Sequence, residues 1–446
     1  MVRGSVLALA LSACAPSPDA PVTPPAAAAS TSSASSRPMS SAAPVASIPP
    51  PGTADAWTAA SPVVETPEPA AAVTADGRVD GDRLRRLHLD RLARDESPVV
   101  VLQGGTPREL GARLCEQVVP RRPPDTPVLL KPNVCGFQAL RKVRAPEDDD
   151  GLRGRITDPE FTRGVIDCLK ARGHQRITVA EGCAVDHAMF EKVMARSGYA
   201  AMAAEAGVPL VGLDDDGVFD AVGERPGKPL RVSGMEQSHV PQLLLPKILV
   251  EHLDHGLFLS LPKIKAHRFS VVSLGIKGTQ GVVMRSDEAP AHQQKWRMHA
   301  ELHRYLSAAK SGHEDRAAYV ASLELFSDRL LDVLEVAMPH AVLAEGAPAM
   351  GGDGFDLLVP LSPALAVGGS HVVRVDMVGS QLLGLWQHPT LKAELGGYHA
   401  SPLIVMAARR WSVDLDATRL VGSGAPLVAL PRPAHYRAMA PFAIAP

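Results

Sequence analysis

Aromatic side chains are scarce, at 4% of the 446 residues. A surface that stacks nucleic-acid bases needs exposed rings, so this scarcity argues against such a platform. A dominant charge is lacking too: 46 Lys and Arg against 48 Asp and Glu leave a net charge of −2. That balance lacks the basic footprint expected for nucleic acid or an anionic membrane surface, and no nucleic-acid partner is expected. No apolar run approaches the roughly 18 to 20 residues that cross a bilayer as a helix. The five cysteines, Cys14, Cys115, Cys135, Cys168 and Cys183, contain no C-x-x-C pair. Thiolate zinc sites and thioredoxin-type chemistry therefore have no support. No G-x-S-x-G elbow, H-E-x-x-H motif or Walker loop occurs either.

What is present begins at the N-terminus. The run "SVLALALSAC" stands behind Arg3 and places small residues before Cys14. It resembles a bacterial lipoprotein signal over residues 1–14, with Leu11, Ser12, Ala13 and Cys14 as the lipobox and Cys14 as the lipidated residue. An apolar N-terminus with an incidental cysteine is the plainer alternative. Residues 15–78 are rich in Ala, Pro, Ser and Thr. Such a chain buries too little apolar surface to offset its ordering entropy, so a disordered tether is expected. At about 3.1 Å per residue, ~60 residues extend at most roughly 190 Å. The expected location is the bacterial cell envelope, with membrane contact through the N-terminal lipid alone.

From about Val79 to residue 446 the pattern is that of a folded domain. "SPVVVLQGG", "TPVLLKPN", "RITVAEG", "VPLVGLD", "HGLFLSLP" and "HAVLAEG" read as strands. Between them "TPRELGARLCEQVV", "TDPEFTRGVIDCLKARG", "VDHAMFEKVMARSG", "YVASLELFSDRLLDVLEVA" and "VVRVDMVGSQLLGL" read as helices. In the second of these helices Thr157 or Asp158 can cap, Pro159 suits the first turn, Glu160 can complete a capping box and Gly173 can close. Strands that are apolar throughout and alternate with helices indicate an α/β fold, its mainly parallel sheet covered by helices on both faces. Residues 285–312 read as an inserted helical segment, and "RKVRAPEDDDGLRGR" as a polar loop.

Ligands of open α/β sheets bind beyond the carboxyl ends of the strands. There the sequence places Lys131 and Asn133, Glu181, then Lys263, Lys265 and His267, and finally Glu345. In "KIKAH" an extended backbone projects Lys263, Lys265 and His267 to one face, with Ile264 and Ala266 opposite. Three like charges on one face call for an anionic partner, either Glu181, Glu345 or a bound carboxylate or phosphate. "GIKGTQG" follows, where Lys277 and the backbone at Gly275, Gly278 and Gly281 can approach an anion. Strands also have to surface somewhere, and polar residues at their ends need no further role.

His299 and His303, four apart, share a face if helical and form a candidate metal pair. Glu181, Glu345 and Asp376 are candidate bases or hard-metal ligands. Asp353 lies beside glycine in "AMGGDGF", where turn formation is the simpler role. The cofactor is left open, a divalent metal being one candidate.

"VLLKPN", "ITDPEFTRGVIDCLKARG", "ITVAEG", "LPKIKAH", "LGIKGTQG", "AEGAPAMGGDGF" and "VVRVDMVGSQLLG" together resemble the bacterial and archaeal family catalogued as domain of unknown function 362. They follow its order over about residues 128–385. The resemblance implies an α/β domain with a site at these segments and leaves the reaction unassigned. Many relatives carry a ferredoxin-like cysteine cluster that this chain lacks, so no iron–sulfur cluster is expected. Relatives commonly have Asn where this chain has Gly278. The expectation is an envelope-tethered enzyme acting on a small anion. Lys131, Asn133, Lys263, Lys265, Lys277 and Gly278 would bind it, and His267 would act as acid/base or metal ligand. The alternative is a lipid-anchored anion-binding protein without catalysis.

Overall fold

A computed structural model describes residues 72–446 except 135–153, 184–186, 214–228, 285–297, 303, 306–314, 356, 399–400, 440–441 and 445–446. Cys14, most of the tether, His303, most of the expected insertion at 285–312 and nearly all of the polar loop lie outside the described residues. The domain already takes shape upstream of the expected Val79. The Ala72 N–H reaches the Asp254 carboxylate, and Val73 bridges to Val79.

Asp80 caps α1 (Gly81–Arg94), and β1 (Val99–Gln103) follows. A capping box of Thr106 and Glu109 opens α2 (Pro107–Val118). Then β2 (Val128–Pro132), α3 (Pro159–Ala171), β3 (Ile177–Glu181), α4 (His187–Arg196), α5 (Tyr199–Ala206) and β4 (Leu210–Gly212) alternate. A small antiparallel pair, β5 (Pro229–Arg231) with β6 (Leu244–Pro246), precedes α6 (Lys247–Asp254). Strand β7 (Leu257–Leu261) is separated by Pro262 alone from β8 (Lys263–His267). Strand β9 (Val271–Ser273) folds back on β8, and a single helical turn, α7 (Gly275–Gly278), comes next. The chain continues through α8 (Arg316–Val336), β10 (Ala341–Gly352), β11 (Leu358–Leu361), β12 (Leu365–Gly369) and α9 (Val372–Leu382). It ends in α10 (Pro389–Glu394), α11 (Pro402–Arg410) and the short strands β13 (Leu420–Val421), β14 (Tyr436–Met439) and β15 (Phe442–Ile444).

The fold is α/β, as its pattern indicated. The sheet runs β13-β1-β12-β10-β7-β2-β3-β4. Strands β10, β7, β2, β3 and β4 are parallel, while β12 lies antiparallel between β10 and β1. Two apolar cores flank the sheet, and its strands alternate between them. Leu257, Leu259 and Leu261 of β7 enter the core that holds Leu110, Leu114, Phe161 and Val165 of α2 and α3. Phe258 enters the other, with Leu330 and Leu334 of α8 and Val375 of α9. Burial on both faces is why these strands read as unbroken apolar runs.

Asp158 caps α3, accepting the Glu160 N–H at 2.8 Å, which places Glu160 too early in the helix to close a box. Gly173, with φ +92°, ends the helix as expected. Helices α2 and α3 cross with their backbones nearly touching. A Cβ on Gly111 would lie 2.2 Å from the Phe161 carbonyl oxygen, and one on Gly164 would lie 2.0 Å from that of Arg108. One turn beyond each glycine, Cys115 and Cys168 form a disulfide that closes a sequence separation of 53. The sequence pointed to no pairing between these two cysteines, and this long-range bridge was missed.

Gly164→Ala should cost roughly 1–3 kcal/mol or more, because overpacking here moves backbone rather than a flexible side chain. Reducing the disulfide should remove about 2–4 kcal/mol, since the loop it closes is long. Urea unfolding of the domain, oxidised and reduced, measures both, and an unchanged midpoint in either case would refute the clamp.

Candidate functional site at the carboxyl edge of the sheet

Strand ends supply the site. Strand β2 ends at Lys131 and Pro132, with Asn133 just beyond, and the neighbouring β3 ends at Glu181. The Lys131 ammonium stands 2.8 Å from a Glu181 oxygen. That carboxylate also accepts the N–H groups of Val134 at 2.8 Å and Gly182 at 2.7 Å. The approach is tight: a Cβ on Gly281 would lie 2.5 Å from the Lys131 Nζ. A side chain at this position would have to displace the Lys131 ammonium from its place beside Glu181.

Lys263 and Glu345 make a second pair. They are direct partners on the parallel strands β8 and β10, so their side chains share a face. The Lys263 Nζ lies 2.8 and 2.6 Å from the two carboxylate oxygens. Glu345 also accepts the N–H of Asp158 at 3.2 Å and that of Ala347. Lys263 is 1% exposed and Glu345 0%. Glu345, expected at a strand exit, is instead mid-strand, because β8 and β11 pair the second half of β10 as far as Gly352. Both glutamates, the expected bases, therefore serve as counterions to lysines.

Lys265 takes the next position on the same face, while Ile264 and Ala266 enter the core beyond the other face. Its buried Nζ donates to the Arg155 carbonyl at 2.7 Å and the Gly354 carbonyl at 3.4 Å. It also lies 5.7 Å from the centre of the Phe355 ring. His267 follows, edge-on to Phe269 and Phe355 with ring centres 5.6 and 5.0 Å away. Burial drives this imidazole well below its usual pKa, and the charges of Lys277, Lys265, Arg268 and His299 act in the same direction. Its Nδ1 accepts the Phe269 N–H at 3.1 Å. A neutral ring with Nδ1 so engaged carries its proton on Nε2. It thus presents a donor, and neither nitrogen keeps an uncommitted lone pair for a proton or a metal. The adjoining β8–β9 turn is strained, for the β-branched Val271 adopts φ +65°.

Lys277 is half-buried on α7. Asp376 of α9 fixes this turn from beneath, accepting the Gly275 N–H at 2.7 Å and the Ile276 N–H at 2.9 Å. Burial raises its carboxyl to about 7 against these two bonds. Asp376 is 1% exposed, and its geometry is that of an anchor for the turn. Gly278 passes over Ser260, whose hydroxyl would be 3.3 Å from an added Cβ. Asp353 organises its turn, accepting the N–H groups of Phe355 and Leu357 at 2.8 and 3.0 Å and pairing with Arg437 at 2.8 Å.

His299 is buried, its ring 5.1 Å from Phe269 and 5.6 Å from Phe326. Among the described residues no three His, Cys, Asp or Glu side chains are placed to hold a metal ion. Thr157 is a member that the sequence reading assigned only to capping. It accepts the Asn133 N–H at 3.0 Å and donates to the Leu261 carbonyl at 2.6 Å, tying the two strand ends together. Arg268 was also passed over, although it directly follows the "KIKAH" motif that drew attention.

Fold and edge together define an α/β protein whose strand ends carry two buried lysine–glutamate pairs and a buried, neutral histidine. The chain belongs to the family described as a domain of unknown function, DUF362, whose model matches residues 128–381, more than half of the sequence. Every edge residue from Lys131 to Asp376 falls inside that match. No curated protein and no solved structure matches the chain.

Glu345→Gln should cost about 3–5 kcal/mol, because it strands the buried Lys263 charge, whereas Lys263→Met with Glu345→Gln should recover much of that loss. Denaturant unfolding of the two single variants and the double variant measures the coupling. Stability should also fall between pH 7 and 5. His267, His340 and His88 (the last at about 3) are held low by burial. Below about 6.5 the unfolded chain gains protons that the native one refuses. Asp376, raised to about 7, works the other way, since its native carboxyl binds a proton more tightly than its unfolded one. Asp376→Asn should therefore steepen the acid loss. Melting temperatures across this range test it, and a flatter profile would contradict the assignment.

Proposed function

We propose that the carboxyl edge is the active site of an envelope-tethered enzyme acting on a small anionic substrate, a carboxylate or a phosphate. One observation carries this reading: Lys265 and His267 project, both buried, from one face of β8, and the charges of Lys277, Lys265, Arg268 and His299 add to burial in holding His267 neutral. Such a field favours an anion, and a low-dielectric setting strengthens it. In this reading Lys265 and Lys277 attract the substrate, while Arg268 pairs with Asp353 at 3.5 Å. The His267 Nε2–H then donates to a substrate oxygen as negative charge develops there, which is electrophilic catalysis by a neutral imidazole. Asn133, at the neighbouring strand end, helps orient the anion. Lys131 and Lys263, already neutralised, shape the floor.

Envelope location rests on the lipoprotein-like start and on the Cys115–Cys168 disulfide, a bond that persists in oxidising compartments. A second reading, an anion-binding protein without catalysis, is favoured by a specific feature: Glu181 and Glu345 are both committed to lysines.

Inorganic phosphate or a small carboxylate such as malonate should raise the melting temperature of the domain. Lys277→Met, a half-buried position, should remove that shift. No shift with either anion, or one that survives Lys277→Met, would sink the anion reading. Retained binding with His267→Gln then assigns the histidine to chemistry, whereas lost binding assigns it to recognition.

A further inference from the structure

The last acid of the chain is Asp416, and the residues after it carry Arg419, Arg432 and Arg437 among mostly apolar neighbours. The even overall charge averages this basic terminus against an acidic remainder and so conceals it. Much of the stretch lies on the outside of the domain. Val421 of the edge strand β13 is 36% exposed, and Leu430, at 56%, is the most exposed large apolar side chain among the described residues. Pro426, Ala429, Pro431 and Pro433 are exposed along the same stretch. The stretch is nonetheless fixed to the fold. Strand β13 pairs with β1, the Gly424 N–H donates to the Val101 carbonyl at 2.8 Å, and Leu427 and Val428 pack against the core. Its prolines lack an N–H, which reduces the polar backbone that contact with an apolar medium would strip of water.

We propose that this apolar face, from Val421 to Pro433, lies against an anionic lipid surface. Its charges favour lipid over a second copy of the chain, because a copy would set the same arginines against one another. Arg419 donates to the Glu96 carbonyl and Arg432 to the Ser362 carbonyl, both at 2.7 Å. Arg113 donates to the Gly104 carbonyl and to the hydroxyl of Ser423, both at 3.4 Å. These acceptors are neutral, and a guanidinium carries five N–H donors, so each arginine keeps donors for a lipid phosphate. Arg437 differs, for it is paired with Asp353. Partial burial lowers the Arg432 pKa, a cost that a neighbouring phosphate would offset. In the envelope reading the tether already holds the domain near such a surface, so the face needs only modest affinity of its own. It would be a second membrane contact, beyond the lipid on Cys14.

Flotation of the chain from Ala15 onward, which lacks the apolar start, tests the face without its anchor. Vesicles of equal parts phosphatidylglycerol and phosphatidylcholine should carry the protein, and pure phosphatidylcholine should bind it at least about tenfold more weakly. Leu430→Asn and Arg419→Gln should each weaken binding by about fivefold, with melting temperature and phosphate response unchanged. Leu430→Trp should keep binding, and its fluorescence should shift to the blue on the mixed vesicles. No flotation, equal flotation on both lipids or indifference to Leu430→Asn would each overturn the proposal. A dimer that Leu430→Asn dissolves, with no flotation of the parent chain, would replace it with an interface between copies. Because the phosphate response reads the carboxyl edge, failure here and failure there are distinguishable.

Discussion

The carboxyl edge depends on one buried ion pair, Lys263 with Glu345. Both side chains are sealed from water, so each charge carries a desolvation cost that only the other, with the surrounding N–H donors, can offset. The two residues face each other across β8 and β10. A slip of one residue would exchange Lys263 for Ile264 and drive a charge into the apolar core. The pair therefore sets where β8 lies on β10, and with it the direction of Lys265 and His267. The ladder shifts register between Glu345 and Met350, which makes a fixed point at Glu345 the more necessary.

Lys131 and Glu181 repeat the solution on the next two strands, with N–H groups from Val134 and Gly182 completing the carboxylate. The paired lysines are part of the floor. Burial, reinforced by the charges of Lys277, Lys265 and Arg268, keeps the His267 ring neutral. Phe269 then selects its tautomer through a single backbone N–H. Electrostatics and one hydrogen bond together decide what the ring can offer a ligand.

Strand and helix positions were legible because each apolar run is bounded by its own local signals, such as Thr106 or Gly173. The alternation in "KIKAH" was legible for the same reason, since period two is a property of the backbone. Partnerships were not. Nothing near Lys263 in the chain indicates that its counterion is Glu345, 82 residues away, because register between distant strands is set by tertiary packing. Thr157 illustrates the same limit. As a local signal it is a helix cap, yet the fold uses its hydroxyl to join Asn133 to Leu261, while Asp158 caps instead. Cys115 and Cys168 look unremarkable in sequence, and their bridge exists only because Gly111 and Gly164 bring two helices into backbone contact.

The turn α7 explains why three glycines recur in so short a segment. It leaves the core at Gly275, crosses Ser260 at Gly278 and reaches the Lys131–Glu181 pair at Gly281. It thereby carries Lys277 to the neighbourhood of His267. The path is close enough to its neighbours to crowd a Cβ at these three positions, and it leaves the first N–H groups of the turn without partners of their own. Asp376 supplies them from α9. Its carboxyl, raised to about 7, is poised between charged and neutral forms near neutral pH. Loss of that charge weakens both bonds at once, because a neutral carboxyl accepts less strongly than a carboxylate. Asp376 thus acts on the edge through the position of Lys277.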